Sequence, residues 1–141
     1  MSNVDLSKLR RKLHFIRQQM RNLQRFQEME IDEFISDPLY EAAAIRMLQV
    51  SIEAVLDICS HLSAREGWGL PNSYAEAVAL AVENGIIPPE LEDNYQAMAR
   101  FRNRVVHIYD DLDSEEILDI IHNHLEDFNP FLKRVVQRYF N

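Results

Sequence analysis

The chain has 141 residues, 47% of them hydrophobic and 27% charged, with 15 Lys/Arg against 23 Asp/Glu for a net charge of −8. This length fits one domain, residues 1–141, that can bury roughly two thirds of its unfolded surface, and the composition excludes a disordered chain. Three Gly and five Pro are too few turn residues for a many-stranded sandwich or barrel, so a few long helices are expected.

Cys59 is the one cysteine, which excludes an internal disulfide and a Cys-based metal site. No signal peptide is expected, because Leu6 is followed at once by Lys8, Arg10, Arg11 and Lys12. The longest uncharged run, the nine residues from Gly67 to Ala75, falls far short of the roughly 20 that a membrane span needs. A soluble, cytoplasmic protein is the expectation. Charge is unevenly spread: residues 1–27 hold seven Lys/Arg (Lys8, Arg10, Arg11, Lys12, Arg17, Arg21, Arg25) and one acid, Asp5. Such a basic segment on an acidic body is either an ordinary solvated helix face or a surface for RNA or an acidic partner.

Residues 5–35 read as one long amphipathic helix, since Leu6, Leu9, Leu13, Ile16, Met20 and Leu23 recur at spacings 3-4-3-4-3. Asp37-Pro38 is a stop and restart, with Asp at the N-cap and Pro at the first helical position. The helix from Leu39 to about Ala64 is apolar around most of its circumference, which suits the centre of a bundle. After the Gly67–Pro71 loop, Ser73-Tyr74-Ala75-Glu76 is a capping box, and Gly85 is the expected left-handed cap of the short helix it opens. A fourth helix follows over about 90–106, with Leu91, Tyr95, Met98, Phe101 and Val105 as its inward stripe. The last starts at Asp113-Ser114-Glu115-Glu116 and runs to about Phe140, kinked or split by Pro130. The expectation is an all-α bundle of five helices.

Histidine is the side chain that titrates near neutrality, and there are five: His14, His61, His107, His122 and His124. His122 and His124 diverge by about 200° on a helix and cannot share an ion, and no H-E-x-x-H spacing exists. Asp110, Asp111 and Asp113 sit at a predicted helix start, where capping and the dipole account for acids. His107 stands apart, because Arg102, Asn103, His107 and Tyr109 put a guanidinium, an amide, an imidazole and a phenol within eight positions. Arg102 and His107 are about 140° apart on a continuous helix. They converge only if the helix loosens near Val106 or a second copy of the chain completes the site. In structural terms alone, Arg102 is an ion-pair partner and His107 a helix C-terminal cap.

Arg102-x4-His107-x-Tyr109 resembles the R-x4-H-x-Y motif of HepT-like proteins in the HEPN superfamily, toxins paired with a minimal nucleotidyltransferase antitoxin. The Ala44–Leu48 and Ile52–Ile58 stretches, the Leu70-Pro71-Asn72-Ser73-Tyr74 loop and the acidic helix start after Tyr109 are similar to the same family. The resemblance covers nearly the whole chain in order. It implies an RNA-cleaving enzyme of the HEPN bundle fold that needs neither metal nor cofactor, a homodimer that brings two motifs together, and a nucleotidyltransferase partner of the MNT type. His107 then serves as base or acid, Arg102 supplies the planar fork suited to phosphate, and Asn103 orients phosphate or ribose. Tyr109 matches the tyrosine to which the antitoxin transfers adenylate, a bulky anion that would repel the RNA phosphate.

Arg46, Glu53, Asp57 and Ser60 form a polar stripe on the central helix. They are either an internal network, Arg46 with Glu53 or Asp57 with Arg102, or a support in which Glu53 or Asp57 holds Arg102 in position. Trp68 is expected as a packing anchor and Cys59 as core. Two functions follow: a ribonuclease toxin using Arg102 and His107, or a non-catalytic helical adaptor that binds a nucleotidyltransferase and shapes its substrate site.

Overall fold

Asp5 opens the first helix, α1 (Leu6–Gln24), by accepting the Lys8 amide at 3.0 Å. A computed structural model of the chain describes residues 3–107 and 112–141, and every regular element among them is helical. The stripe of α1 is buried as its spacing requires, at Leu9, Leu13, Ile16, Met20 and Leu23, while Leu6 stays exposed.

The single helix expected over 5–35 is broken. Residues 25–28 form a turn, and α2 (Ile31–Ile35) follows as a separate short helix. The spacing explains the break: from Phe26 to Ile31 is five positions, a swing of about 140° off the stripe. Turning the chain instead buries Phe34 edge-on against Phe26, with ring centroids 5.8 Å apart, and sets Tyr40 against the same ring at 6.1 Å.

Asp37 caps α3 (Pro38–Arg65) through the Leu39 amide at 3.0 Å, with Pro38 in the first turn. This 28-residue helix buries residues along its length, Ala44, Leu48, Ile52, Leu56 and Cys59 among them, and packs against α1, α2, α4, α5 and α6. It is the central helix. Burial pushes the Cys59 thiol up to about 12, which leaves it a core residue without thiolate chemistry.

Ser73 caps α4 (Tyr74–Glu83) through the Glu76 amide at 3.1 Å, and Glu76 reaches back to the Asn72 amide at 2.5 Å. Gly85 ends it with φ +80°. The carbonyls left at that end accept from α7 (Phe128–Tyr139): Arg134 donates to the Gly85 carbonyl at 2.6 Å and Arg138 to the Asn84 carbonyl at 2.5 Å. Trp68 is half-buried beneath the Arg138 guanidinium, 5.6 Å from it, as a packing anchor.

A 3-10 turn at Pro89–Leu91 leads into α5 (Glu92–His107), which buries Tyr95, Met98, Ala99 and Phe101. Leu91 and Val105, expected on that inward stripe, are only half-buried. The C-terminal helix is split into α6 (Ser114–His124) and α7 by a 3-10 turn at Leu125–Asp127. The split falls just before Pro130, so Pro130 occupies the first turn of α7, where its missing N–H has no intrahelical partner to lose. The buried Tyr95 hydroxyl fixes the turn by donating to the Asp127 carbonyl at 2.5 Å. Seven α-helical segments thus stand among the described residues where five helices were expected, because the first and last each divide in two.

Candidate active site

The last turns of α5 carry Arg102, Asn103 and His107. Tyr109, Asp110 and Asp111 lie outside the described residues. The helix runs without interruption to His107, so loosening near Val106, one of the two ways by which Arg102 and His107 could converge, does not occur. Arg102 and His107 therefore stay about 140° apart around one axis. His107 is exposed and shares a helix face with the exposed Asn103, four positions earlier.

Arg102 is held from three sides. Its Nε donates to Glu53 Oε2 on α3 at 3.1 Å, its Nη1 reaches Asn103 Oδ1 at 3.4 Å, and its guanidinium lies 5.2 Å from the centre of the Tyr74 ring on α4. The Tyr74 hydroxyl donates to Asp57 Oδ1 at 3.1 Å, and Asp57 Oδ2 lies 3.5 Å from Lys12 Nζ on α1. Burial first, and then the Asp57 carboxylate that takes its hydrogen bond, hold the Tyr74 phenol above its ordinary pKa, so it remains a neutral donor. A guanidinium carries five N–H donors. With Nε and one Nη1 bond committed, Arg102 keeps others for an anion, and its side chain is 23% exposed.

Of the four polar residues expected on the face of α3, Glu53 holds Arg102 and Asp57 holds Tyr74 and Lys12. The alternative pairings fail: Arg46 is exposed, and Glu53 turns to Arg102 in its place. Ser60 is half-buried on the same helix. Sequence reasoning missed Tyr74 and Lys12 as parts of this network. Tyr74 was visible only as the end of the Leu70–Tyr74 loop, since nothing periodic links it to Asp57 or Arg102.

Across α5 from this network, Arg104 forms a two-pronged ion pair with Glu116 of α6, one bond measuring 2.9 Å. Asp113 caps α6 through the Glu116 amide at 2.8 Å, and Ser114 donates to Glu41 of α3 at 2.7 Å. The end of α5 and the start of α6 are thereby fixed against α3.

Three of the other histidines serve structure. His61 accepts the Asp5 amide at 3.1 Å, His122 meets the Met29 carbonyl at 2.9 Å, and His124 pairs with Asp127 at 3.0 Å. His14 is exposed on α1. Among the described residues no three His, Cys, Asp or Glu side chains gather as a group able to hold a metal ion. No helix among them is long and apolar enough to cross a membrane.

Residues 16–135 match the protein family described as Ribonuclease HepT-like. The chain belongs to the HepT-like ribonuclease family. It is 32% identical over 114 residues to the mRNA nuclease HepT of Shewanella oneidensis, covering 79% of this chain and 86% of that protein. To the tRNA nuclease HepT of Aphanizomenon flos-aquae it is 24% identical over 135 residues, covering 96% of this chain and 92% of that one. A solved structure of the tri-AMPylated Shewanella oneidensis HEPN toxin, in complex with MNT antitoxin, superposes with a TM-score of 0.83 at 27% identity. That match covers 92% of this chain and 97% of the toxin chain. The HepT-like resemblance carried by Arg102, His107 and the surrounding helices is borne out at the level of the family, and the all-α HEPN fold with it.

Proposed function

We propose that this HepT-like chain is the toxin of a toxin–antitoxin pair, a cytoplasmic ribonuclease that works without metal and is neutralised by adenylylation of Tyr109. The observation that carries the reading is Arg102. It is fixed on Glu53 and Tyr74 with donors to spare, at the end of a helix whose last residue, His107, is exposed. The names of its relatives, nuclease and HEPN toxin, support the reaction class.

Arg102 and His107 diverge on α5, so the site is completed by the same motif of a second protomer in a homodimer. One His107 imidazole takes the proton of the RNA 2′-hydroxyl, whose oxygen then bonds to phosphorus. The P–O5′ bond breaks, and the departing oxygen takes that proton back from the imidazolium so formed. Arg102 donates to the phosphorane oxygens as their charge grows, and Asn103 orients the ribose or phosphate. A partner nucleotidyltransferase of the MNT type transfers AMP from ATP to the Tyr109 hydroxyl with release of pyrophosphate. The added anion then competes with RNA for Arg102.

The decisive experiment is RNA cleavage in EDTA by wild type and His107→Ala. Cleavage by wild type and none by a folded His107→Ala variant are expected, whereas undiminished cleavage by that variant would remove His107 from the reaction. A wild type that binds a minimal nucleotidyltransferase and leaves RNA intact would make the chain the adaptor. Intact mass after co-expression with the partner should show added AMP on wild type and none on Tyr109→Phe; a modified Phe variant would move the acceptor elsewhere.

A further inference from the structure

The basic residues of α1 point to two different sides. Lys12 faces α3 and meets Asp57. Arg10, His14, Arg17 and Arg21, spaced 4-3-4, lie along the opposite flank, where α1 runs beside α7. Two adjoining cavities of about 530 and 380 Å³ occupy the space between these helices, and both are lined by Arg17 and Val136. Lys133 of α7 adds a cation from the other wall, and Asn129 and Gln137 add amides. Phe140 lies at the Arg10 end, its ring 5.2 Å from the Arg10 guanidinium.

Among the described residues no acidic side chain lines either cavity, although acids outnumber bases 23 to 15 in the chain. Arg17, Arg21 and Lys133 are exposed and have no carboxylate partner there. Like charges four positions apart, as Arg17 and Arg21 are, destabilise a helix. A chain with surplus carboxylates that leaves these cations unneutralised holds them ready for an anion from outside.

We propose that the α1–α7 groove binds the sugar–phosphate backbone of single-stranded RNA, at a distance from the bond that is cut. The ligand rests on the ribonuclease reading; the groove itself rests on charge and shape. A linear track of cations, amides along one wall and an aromatic ring at one end are the components of a single-strand groove, in which the backbone follows the charge and a base can stack. An acidic protein surface would need the cations but would have no use for the single-file arrangement. The Lys12 flank, linked through Asp57 and Tyr74 to Arg102, lies across the body of α1, so the groove is an extension of the substrate path and takes no part in the chemistry.

The test is fluorescence anisotropy of the full chain with a labelled 2′-O-methyl RNA of about 20 nucleotides, in which the 2′-hydroxyl nucleophile is blocked so that binding is read without cleavage. The variant Arg17→Gln/Arg21→Gln/Lys133→Gln should bind about tenfold more weakly at low salt. Its slope of log K against log salt should be shallower by about 2, since three phosphate contacts are lost at about 0.7 each. Its melting temperature should equal or slightly exceed that of wild type, since the Arg17–Arg21 repulsion is removed. Its cleavage of unmodified RNA at saturation should match wild type, and the single variant Arg21→Glu should weaken binding in the same direction. Unchanged affinity and slope in these variants, or no binding by wild type, would overturn the proposal. So would labelled polyglutamate binding the groove more tightly than RNA, which would give the surface to an acidic protein. A wild type that binds RNA through the groove yet never cuts it would defeat the ribonuclease reading and leave the groove standing.

Discussion

The Arg102 guanidinium rests on the face of the Tyr74 ring while the Tyr74 hydroxyl is held by Asp57. One phenol of α4 therefore ties an arginine of α5 to a carboxylate of α3, and Lys12 extends the chain of contacts to α1. Four helices converge on the orientation of one guanidinium. Its direction is then a property of the packed bundle, which is how a site placed near a helix end acquires a fixed geometry.

Tyr74 can be divided by substitution into ring and hydroxyl. Tyr74→Phe keeps the surface under Arg102 and loses one hydrogen bond to a half-exposed carboxylate, a change of about 1 kcal/mol or less in stability. Tyr74→Ala removes the ring as well, at about 1 kcal/mol for the cation–π contact alone. Cleavage kinetics should show near-wild-type kcat/KM for Phe and a loss of about tenfold for Ala. Equal losses in both would place the role in the hydroxyl.

Glu53 is expected to act through Arg102. The pair is partly exposed on both sides, 23% and 27%, so removing it should change stability by less than about 1 kcal/mol. Glu53→Ala frees the guanidinium, and kcat should fall about tenfold while KM moves little. Glu53→Gln retains an acceptor oxygen for the Arg102 Nε and should recover most of that loss. A purely structural residue would lower the melting temperature without this split between kcat and KM, and Gln would not restore turnover.

What could be read in the sequence was local chemistry. Asp37-Pro38, Ser73 with Glu76, Gly85 and Asp113 each announce a helix end by the hydrogen bonds their own side chains or backbone can make, and each end is found there. That Glu53 or Asp57 could hold Arg102 was legible from charged residues on elements expected to pack; that Glu53 is the one was not. The rest depends on contacts between residues far apart in the chain. Tyr74 meets Asp57 across 17 positions and His61 accepts from Asp5 across 56, and no periodicity encodes either. The turn after Gln24 was signalled only by the five-residue step from Phe26 to Ile31, which interrupts a stripe otherwise consistent with one helix.

His61 gives the fold a pH dependence of known sign. Its Nε2 accepts the Asp5 amide, which requires a neutral ring. Burial, followed by the charges of Lys8 and Arg65, holds its pKa below the ordinary 6.5, against a smaller opposing effect of Asp5. As pH falls below 6.5 the unfolded chain takes up a proton before the folded chain does, so stability declines across that window and is level above it. Asp5, whose pKa is lowered mainly by the Lys8 amide, contributes its own loss only under more acid conditions, below 3.8. Urea melts of wild type and His61→Gln at stepped pH should show the decline below 6.5 in wild type alone. The same slope in the Gln variant would assign it to another group.

The angle of about 140° between Arg102 and His107 on an unbroken α5 makes a prediction about how the site is shared. A site within one chain needs both residues on that chain, so mixing Arg102→Ala with His107→Ala would yield nothing. A site that pairs Arg102 of one protomer with His107 of its partner behaves differently. In a mixed dimer the Arg102→Ala subunit still offers His107 and the His107→Ala subunit still offers Arg102, so one of the two symmetry-related sites is whole. Co-expressed and purified through different tags on the two subunits, the mixed dimer should cleave at about half the wild-type rate. An unselected equal mixture should reach about a quarter, since about half of its dimers are mixed. Each variant alone should be inactive. Restored cleavage in the mixed dimer would demonstrate a site built from two chains. An inactive mixed dimer, with each subunit folded and paired, would require Arg102 and His107 to act from the same chain and would refute the composite arrangement.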